Sequence, residues 1–271
     1  GSRALLTTTT GGGNVAVGHD SLENNTASNN TSLGSESMKA NTSGTQNVAV
    51  GANSLDANTT ADNNTAVGYN SLSANTTGTN NVAVGAATLD ANTTGSHNTG
   101  IGKQALTANT TGSENTALGR GSLEDNTEGS NNTAVGNHAL RDNTTASNNT
   151  AVGQDALAAN TTGTQNNGFG VNALVANTTG DYNVAVGTNS LTSNTTASSN
   201  TAVGTNAMLA NTTGTSNVAV GAYALDANTT GQQNNAFGQN ALGANTTGSF
   251  HVAIGEQSLY VNNGSDNTGC G

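Results

Sequence analysis

The sequence predicts an all-β fold: a parallel β-solenoid (β-roll) of about 15–16 coils, in which each coil is one 17-residue repeat with two short strands. Three observations lead to this fold class. A phrase of the type Asn-Thr-Ala-Val-Gly returns with a 17-residue step, apolar residues keep fixed places within that step, and proline is absent from all 271 residues. A helical hairpin repeat needs about 33 residues, whereas stacked strands need their backbone N–H groups and exclude proline.

We number each coil from the glycine that closes this phrase, so that Gly51, Gly68 and Gly85 all occupy position 1. Positions 14–17 alternate in the period-2 manner of a strand, and the Asn-Thr-Thr-Gly segment at positions 8–11 consists of turn-forming residues. The step shortens to 16 residues in two coils, and both lose their residue in that segment, at 25–27 and 262–264. Because corners tolerate deletion better than strands do, this segment is predicted to be a corner.

Two positions carry the predicted apolar core. Position 5 is leucine in nearly every coil, and the exceptions are Met38 and Met208, which fill a space of similar size. Position 17 is Val, Ile, Leu or Phe, so we expect it to be buried as well. Cys270 occupies position 17 of the last repeat, where burial is expected and a disulfide to a second chain is the alternative. The predicted core ladder includes Leu55, Leu72, Leu89, Leu106, Leu140, Leu157, Val67, Val84, Val135 and Val152.

Asparagine recurs at positions 8 and 14, and stacking of identical coils would place each amide over the next in a hydrogen-bonded ladder. We predict such ladders at Asn58, Asn75, Asn92 and Asn109 and at Asn64, Asn81, Asn98 and Asn115. The position-8 asparagine also begins an Asn-Thr-Thr sequon for N-glycosylation. An inward ladder would hide it from a transferase, and we favour the ladder. The sequons begin at Asn58, Asn75, Asn92, Asn109, Asn143, Asn160, Asn177, Asn194, Asn211, Asn228 and Asn245.

The repeat domain is predicted to span residues 14–271, which leaves residues 1–13 as an N-terminal arm. The arm is apolar and β-branched, hence strand-prone, and we expect it to pair with the open end or flank of a neighbouring chain in a head-to-tail filament. Capping of its own first coil is the alternative. Small residues at positions 4 and 16, such as Ala134, Ala151 and Ala202, further predict side-by-side packing into a trimer. The arm residues concerned are Ala4, Leu5, Leu6, Thr7 and Thr8.

Composition argues against several functional classes. A net charge of −11, only 8% charged residues and 3% aromatic residues argue against nucleic-acid binding, and no apolar run approaches the ~20 residues needed for membrane insertion. Gly100–Ala105 fits the pattern G-x-G-x-x-A, but this match arises wherever position 16 is glycine, and no acidic residue follows at about twenty positions. His19, His97, His138 and His251 occupy different positions and do not stack. We therefore predict no catalytic residue, no cofactor and no metal.

The phrase NTAVGYNSLSANTTGTNNVAVG, at Asn64–Gly85, resembles repeats of bacteriophage tail-fibre-like proteins and is similar in style to the head repeats of trimeric autotransporter adhesins. The resemblance covers about residues 14–271, although the coil length of 17 differs from that of the adhesins. It implies a left-handed, trimeric β-roll outside a cell or on a virion that serves as a spacer or adhesin.

We therefore expect a non-enzymatic structural fibre that is extracellular, on a cell surface or on a virion. Its expected partners are copies of itself, as a head-to-tail filament or a side-by-side trimer, and a host-surface glycan or receptor. The alternative is a glycan- or ice-binding module that uses the Thr-Thr pairs of positions 9 and 10, such as Thr76 and Thr77.

Overall fold

The computed structural model describes residues 1–8 and 10–271 and shows a β-solenoid, in which each coil of the repeat is one turn. The chain divides into two compact units, Gly1–Asn132 and Thr133–Gly271. Within each unit the strands are parallel and stack in chain order. The first unit contains β1 (Val15–Val17), β2 (Thr31–Leu33), β3 (Val48–Val50), β4 (Thr65–Val67), β5 (Val82–Val84), β6 (Thr99–Ile101) and β7 (Thr116–Leu118). The second contains β8 (Thr133–Val135), β9 (Thr150–Val152), β10 (Asn167–Phe169), β11 (Val184–Val186), β12 (Thr201–Val203), β13 (Val218–Val220), β14 (Asn235–Phe237), β15 (Val252–Ile254) and β16 (Thr268–Cys270).

Each coil contributes one strand of three residues, at positions 15–17, rather than the two strands expected from the sequence. Positions 3, 5 and 13 adopt positive φ in coil after coil, for example 51° at Asn70, 55° at Leu72 and 59° at Asn80. A left-handed residue every second position breaks a strand, so the segment after the glycine turns instead. It still bonds to the next coil, because Leu72 N donates to the Thr88 carbonyl at 3.0 Å.

The strand register survives a change in coil length. In most coils each residue pairs with its equivalent one full repeat further on, as Thr65 does with Val82. In the first of the two coils that are one residue shorter, Val15 pairs with Thr31, and the strands remain aligned over all three residues. The shortened corner at 25–27 therefore absorbs the missing residue, in agreement with the corner predicted there.

The core is confirmed at position 5 and differs from the prediction at position 17. The position-5 side chains of the predicted ladder are fully buried, at 0% exposure. Position 16 is the second inward position, and Ala66 and Ala83 are also at 0%. Because alternate strand residues face opposite sides, position 17 faces outward, and the prediction that it is buried is wrong. The residues concerned, Val67, Val84, Val135 and Val152, are only half-buried.

Space explains why alanine and not valine faces inward. A Cβ atom added to Gly100, at position 16, would lie 3.5 Å from Leu89 Cδ1 and 2.8 Å from the Thr88 methyl group. The leucine of position 5 thus already fills the interior opposite the strand. The same burial overturns the predicted trimer contact, since Ala134, Ala151 and Ala202 are at 0% exposure inside their own chain.

The predicted N-terminal arm is the first coil of the first unit. Arg3 and Leu5 have φ of 60° and 52°, as residues at positions 3 and 5 do elsewhere. Leu5 N donates to the Ser21 carbonyl and Thr7 N to the Glu23 carbonyl, both at 3.1 Å. Of the predicted arm residues, Ala4, Leu5 and Thr8 are half-buried, and Leu6 and Thr7 are exposed. These contacts lie within one chain and agree with the alternative, in which this segment caps its own first coil. Pairing with a neighbouring chain in a head-to-tail filament stays a prediction.

Candidate functional surfaces

The position-8 asparagines form the predicted amide ladder inside the solenoid. Asn75 Nδ2 donates to Asn58 Oδ1 at 3.1 Å and to the Gly78 carbonyl of its own corner at 2.9 Å. Asn92 repeats both bonds, to Asn75 Oδ1 at 2.9 Å and to the Gly95 carbonyl at 3.0 Å. Each amide thus links two coils and closes its own corner. The predicted ladder at Asn58, Asn75, Asn92 and Asn109 is confirmed, and all four side chains are at 0% exposure.

The same burial bears on the sequons. An oligosaccharyltransferase must reach the side-chain nitrogen, and in the folded chain that nitrogen is buried and donates hydrogen bonds. Folded protein therefore presents no acceptor amide at these positions, which supports the ladder interpretation over glycosylation. The statement holds for Asn58, Asn75, Asn92, Asn109, Asn143, Asn160, Asn177, Asn194, Asn211, Asn228 and Asn245, all at 0% exposure.

The position-14 asparagines form a ladder of a different kind. Asn81 N donates to Asn64 Oδ1 at 3.0 Å, and Asn81 Nδ2 donates to the Gly95 carbonyl of the next coil at 2.9 Å. The side chain therefore accepts from backbone and donates to backbone. Asn64, Asn81, Asn98 and Asn115 are all buried in this ladder, as predicted.

His251 replaces asparagine at position 14. Its Nδ1 accepts from Asn267 N at 3.3 Å, so the ring reproduces the acceptor of the amide. Its Nε2 is buried without a hydrogen-bond partner among the described residues. The imidazole thus continues one of the two bonds of the ladder and loses the other.

Positions 15 and 17 form the outer strand face, which is uncharged throughout. Thr, Val and Asn occupy position 15, and Val, Ile, Leu, Phe and one Cys occupy position 17. Ile101, Leu118 and Phe169 are 39%, 45% and 40% exposed. Cys270 is exposed on this face, so the expectation that it is buried is wrong for the same geometric reason. The solenoid therefore presents an uncharged face along each unit, with a column of apolar side chains at position 17 beside Thr, Val or Asn at position 15.

The Thr-Thr corners present only one of their two hydroxyl groups. At position 9, Thr76 Oγ1 donates to the Thr93 carbonyl of the next coil at 3.0 Å, and Thr93 Oγ1 donates to the Thr110 carbonyl at 3.0 Å. At position 10, Thr77 and Thr94 are exposed. The position-9 threonines thus link neighbouring coils, and the position-10 threonines form an exposed column along the surface.

Charged residues cluster around Asp20, which is 2% exposed. Its carboxylate contacts Lys39 Nζ at 3.1 Å and Arg3 Nε at 3.5 Å, and Arg3 also pairs with Glu23. Burial opposes ionisation of Asp20, but the hydrogen bond from Lys39 and the charges of Arg3 and His19 outweigh it, so the pKa of the carboxyl lies below its ordinary value. The cluster ties the first coil to the next two.

The remaining sequence motifs do not converge on a site. Gly100 lies within β6 with its Cα facing the interior, and the residues after Gly102 form turns, so Gly100–Ala105 lacks the helix of a dinucleotide site. Among residues 1–8 and 10–271, no three His, Cys, Asp or Glu side chains group as metal ligands. No helix formed by those residues is long and apolar enough to cross a membrane.

No protein-family model matches the chain, and no curated protein matches it significantly.

Proposed function

We propose that this chain is a structural solenoid that acts as a spacer on the outside of a cell or a virion and associates with copies of itself. The observation that carries the proposal is the recurrence of the same inter-coil bonds in successive coils. Three kinds of hydrogen bond join the coil of Leu72 to the next coil. The Leu72 N–H donates to a carbonyl, the position-8 side-chain amides bond to each other, and the position-9 hydroxyl donates to a carbonyl. The resemblance of Asn64–Gly85 to tail-fibre-like and adhesin repeats supports the location.

This arrangement suits a spacer because its length is set by the number of coils. Each coil contacts mainly its neighbours, so stability grows with each added coil. A net contribution of about 0.5–1.5 kcal/mol for each hydrogen bond gives every inter-coil junction several kcal/mol. The interior residues vary little from coil to coil, with Leu or Met at position 5 and Ala, Ser or Gly at position 16, and this lets similar coils stack on one another.

The spacer role is tested by deleting one coil from the second unit. Removal of residues 187–203 joins position 17 to position 1, and the flanking ladders should close over the gap. Spin labels on Thr145→Cys and Thr247→Cys, both exposed at position 10 and six coils apart, should lie about 29 Å apart and move about 5 Å closer after the deletion. Cys270→Ser in both variants removes the native thiol.

Deletion of residues 187–195 is the matched control, because it joins position 17 to position 10 and destroys the register. It should lower the melting temperature and broaden the distance distribution. After deletion of the whole coil, an unchanged distance between the labels would contradict the spacer role. A distance distribution as broad as that of the 187–195 deletion would contradict it too.

A glycan- or ice-binding role is the second candidate, and the exposed position-10 column favours it. Replacement of Thr179, Thr196 and Thr213 by valine removes three neighbouring hydroxyl groups while β-branching is kept. Loss of glycan binding or of ice-growth inhibition in this variant would support the candidate. Equal behaviour of variant and wild type in both assays would exclude the corners. Exposed threonines of the second unit at this position are Thr145, Thr162, Thr179, Thr196, Thr213, Thr230 and Thr247.

A further inference from the structure

We propose that the outer strand face of the second unit packs against the same face of a second copy of this chain. The face consists of positions 15 and 17 of β8–β16. The inference rests on the self-association in the proposed function and names the surface that produces it. It also replaces the alanine contact predicted from the sequence, because those alanines are buried within their own chain.

The composition of the face favours burial. None of its side chains is charged, and position 17 carries an apolar side chain in every strand from β8 to β15, beside Thr, Val or Asn at position 15. A contiguous row of exposed apolar side chains is typical of a protein–protein contact. Phe169, Val186, Phe237 and Ile254 are 40%, 37%, 41% and 49% exposed. Charged residues lie at other positions of the coil, such as Asp155 at position 3 and Asp181 at position 12.

The face also matches itself in shape. Its rows repeat at the strand spacing of about 4.8 Å, so each row of one copy can meet a row of a second copy along the whole contact. A two-fold axis makes such a contact closed and self-limiting, and two sheets pack face to face about 10 Å apart. An uncharged surface gives no complementarity to a charged partner, whereas it meets its own copy without burying an unpaired charge.

The available area is sufficient for a specific but modest contact. Nine strands of three residues give roughly 430 Å² of flat area per copy, or about 860 Å² for the pair, before side-chain relief is counted. Relief raises this area towards the lower end of specific interfaces, at about 1,000–1,200 Å². We therefore expect dissociation in the micromolar range rather than the nanomolar range.

The two phenylalanines of the face occupy equivalent places around its middle strand. Phe169 in β10 and Phe237 in β14 each lie two strands from β12. A two-fold axis along β12 brings Phe169 of one copy opposite Phe237 of the other at both ends of the contact. Exposed aromatic side chains near the centre of an apolar face are the usual anchors of an interface.

The experiment compares charge on this face with the same charge elsewhere, in full-length protein carrying Cys270→Ser. The face variant is Val186→Lys with Val220→Lys, both outward at position 17. The control is Thr196→Lys with Thr213→Lys, both exposed at position 10. Sedimentation equilibrium up to about 100 µM should give dimers for wild type and control, and the face variant should dissociate at least about tenfold more readily, because like charges would meet in the contact.

Val186→Ser with Val220→Ser covers the case in which the lysine variant fails to fold, because it removes apolar area without adding charge. A melting curve for each variant establishes that the solenoid is intact. A monomeric wild type, or a folded face variant that dimerises as wild type does, overturns the proposed interface. Either result leaves the spacer role standing, since the intramolecular spin-label distances test that role separately.

Discussion

Asn75 donates its side-chain amide to Asn58 one coil away, at 3.1 Å, and in turn accepts from Asn92 at 2.9 Å. The amide is fully buried, so it has no access to water that could replace either bond. A buried asparagine stabilises this site only while both neighbouring coils carry asparagine as well. Loss of one amide leaves a buried hydrogen-bonding group without a partner in the coil before it and in the coil after it.

Asn75→Ala should therefore lower the free energy of unfolding by about 2–4 kcal/mol, because Asn58 Oδ1 loses its donor and Asn92 Nδ2 loses one acceptor. Thr77→Ala, exposed in the same corner, should stay within about 0.5 kcal/mol. Chemical denaturation of both variants measures the difference. Equal stability of the two would show that the ladder adds nothing to cohesion.

The orientation of the strand is tested by two neighbouring residues of β9. Ala151 is fully buried and Val152 is half-buried and outward. Ala151→Leu should destabilise by about 1–3 kcal/mol or more, because the interior opposite position 5 has no room. Val152→Leu should be nearly neutral, since Leu33 and Leu118 already occupy position 17. If Val152→Leu lowered the melting temperature more than Ala151→Leu, position 17 and not position 16 would face the core.

Backbone conformation at position 3 is tested at two adjacent alanines. Ala87 has φ of 52°, whereas Ala86 is not in the left-handed region. Ala87→Gly should stabilise by up to about 1 kcal/mol, because glycine removes the cost of a left-handed Cβ. Ala86→Gly should destabilise by about 0.5–1 kcal/mol through chain entropy. Gly121, with φ of 60°, shows that glycine is accepted at position 3. Denaturation midpoints that move in the same direction for both would argue against the left-handed backbone.

Two carboxylates should respond to pH with opposite sign. The pKa of Asp20 lies below its ordinary value, so its ionised form stabilises the fold at neutral pH and this contribution fades as pH falls. Burial raises the pKa of Asp56, and backbone hydrogen bonds only partly offset that cost, so its ionised form destabilises the fold at neutral pH and this penalty fades as pH falls. One Asp56 oxygen is indeed buried without a hydrogen-bond partner among the described residues.

Asp20→Asn should thus lower the melting temperature at about pH 7, and Asp56→Asn should raise it. The Asp56→Asn difference should disappear as pH falls to the ordinary carboxyl pKa of about 3.9, whereas the Asp20→Asn difference should persist down to that pH and be lost only below it. Melting temperatures of the two variants and wild type across this range check the signs. A pH-independent difference would point to packing rather than ionisation.

Much of the fold follows from the repeat itself. The repeat step predicts one coil per repeat, the leucine at position 5 predicts the core, and the two asparagine positions predict the amide ladders. The structure confirms all three, because stacked coils of similar sequence place equivalent residues over one another. The sequence could not decide which face of the strand is inside. Alternation separates position 16 from positions 15 and 17, and the larger apolar side chains at position 17 favour a core position there, whereas the structure places the smaller position-16 residues inside. Next to Leu89 the interior is so full that even a Cβ atom added to Gly100 would lie 2.8 Å from the Thr88 methyl group.

Two other features were harder to predict. The left-handed backbone at position 3 has a signal in its recurrent asparagines, such as Asn70 and Asn189, since asparagine tolerates that region, but leucine at position 5 gives none. The first coil had a usable signal. Ala4-Leu5 stands one full repeat step before Ser21-Leu22 and matches positions 4 and 5, although Thr8 replaces the usual asparagine and Gly12 and Gly13 disguise the corner.

The corner at 25–27 is one residue short while the strands on either side remain in register. A site that absorbs a lost residue without disturbing its neighbours should also accept gained ones. A foreign peptide grafted between positions 10 and 11 would leave the surface as a loop, because its ends are held by the asparagine below and the strand beyond. Grafts in successive coils would then emerge about 4.8 Å apart, which makes the corner a place to array binding peptides at a fixed, very short pitch.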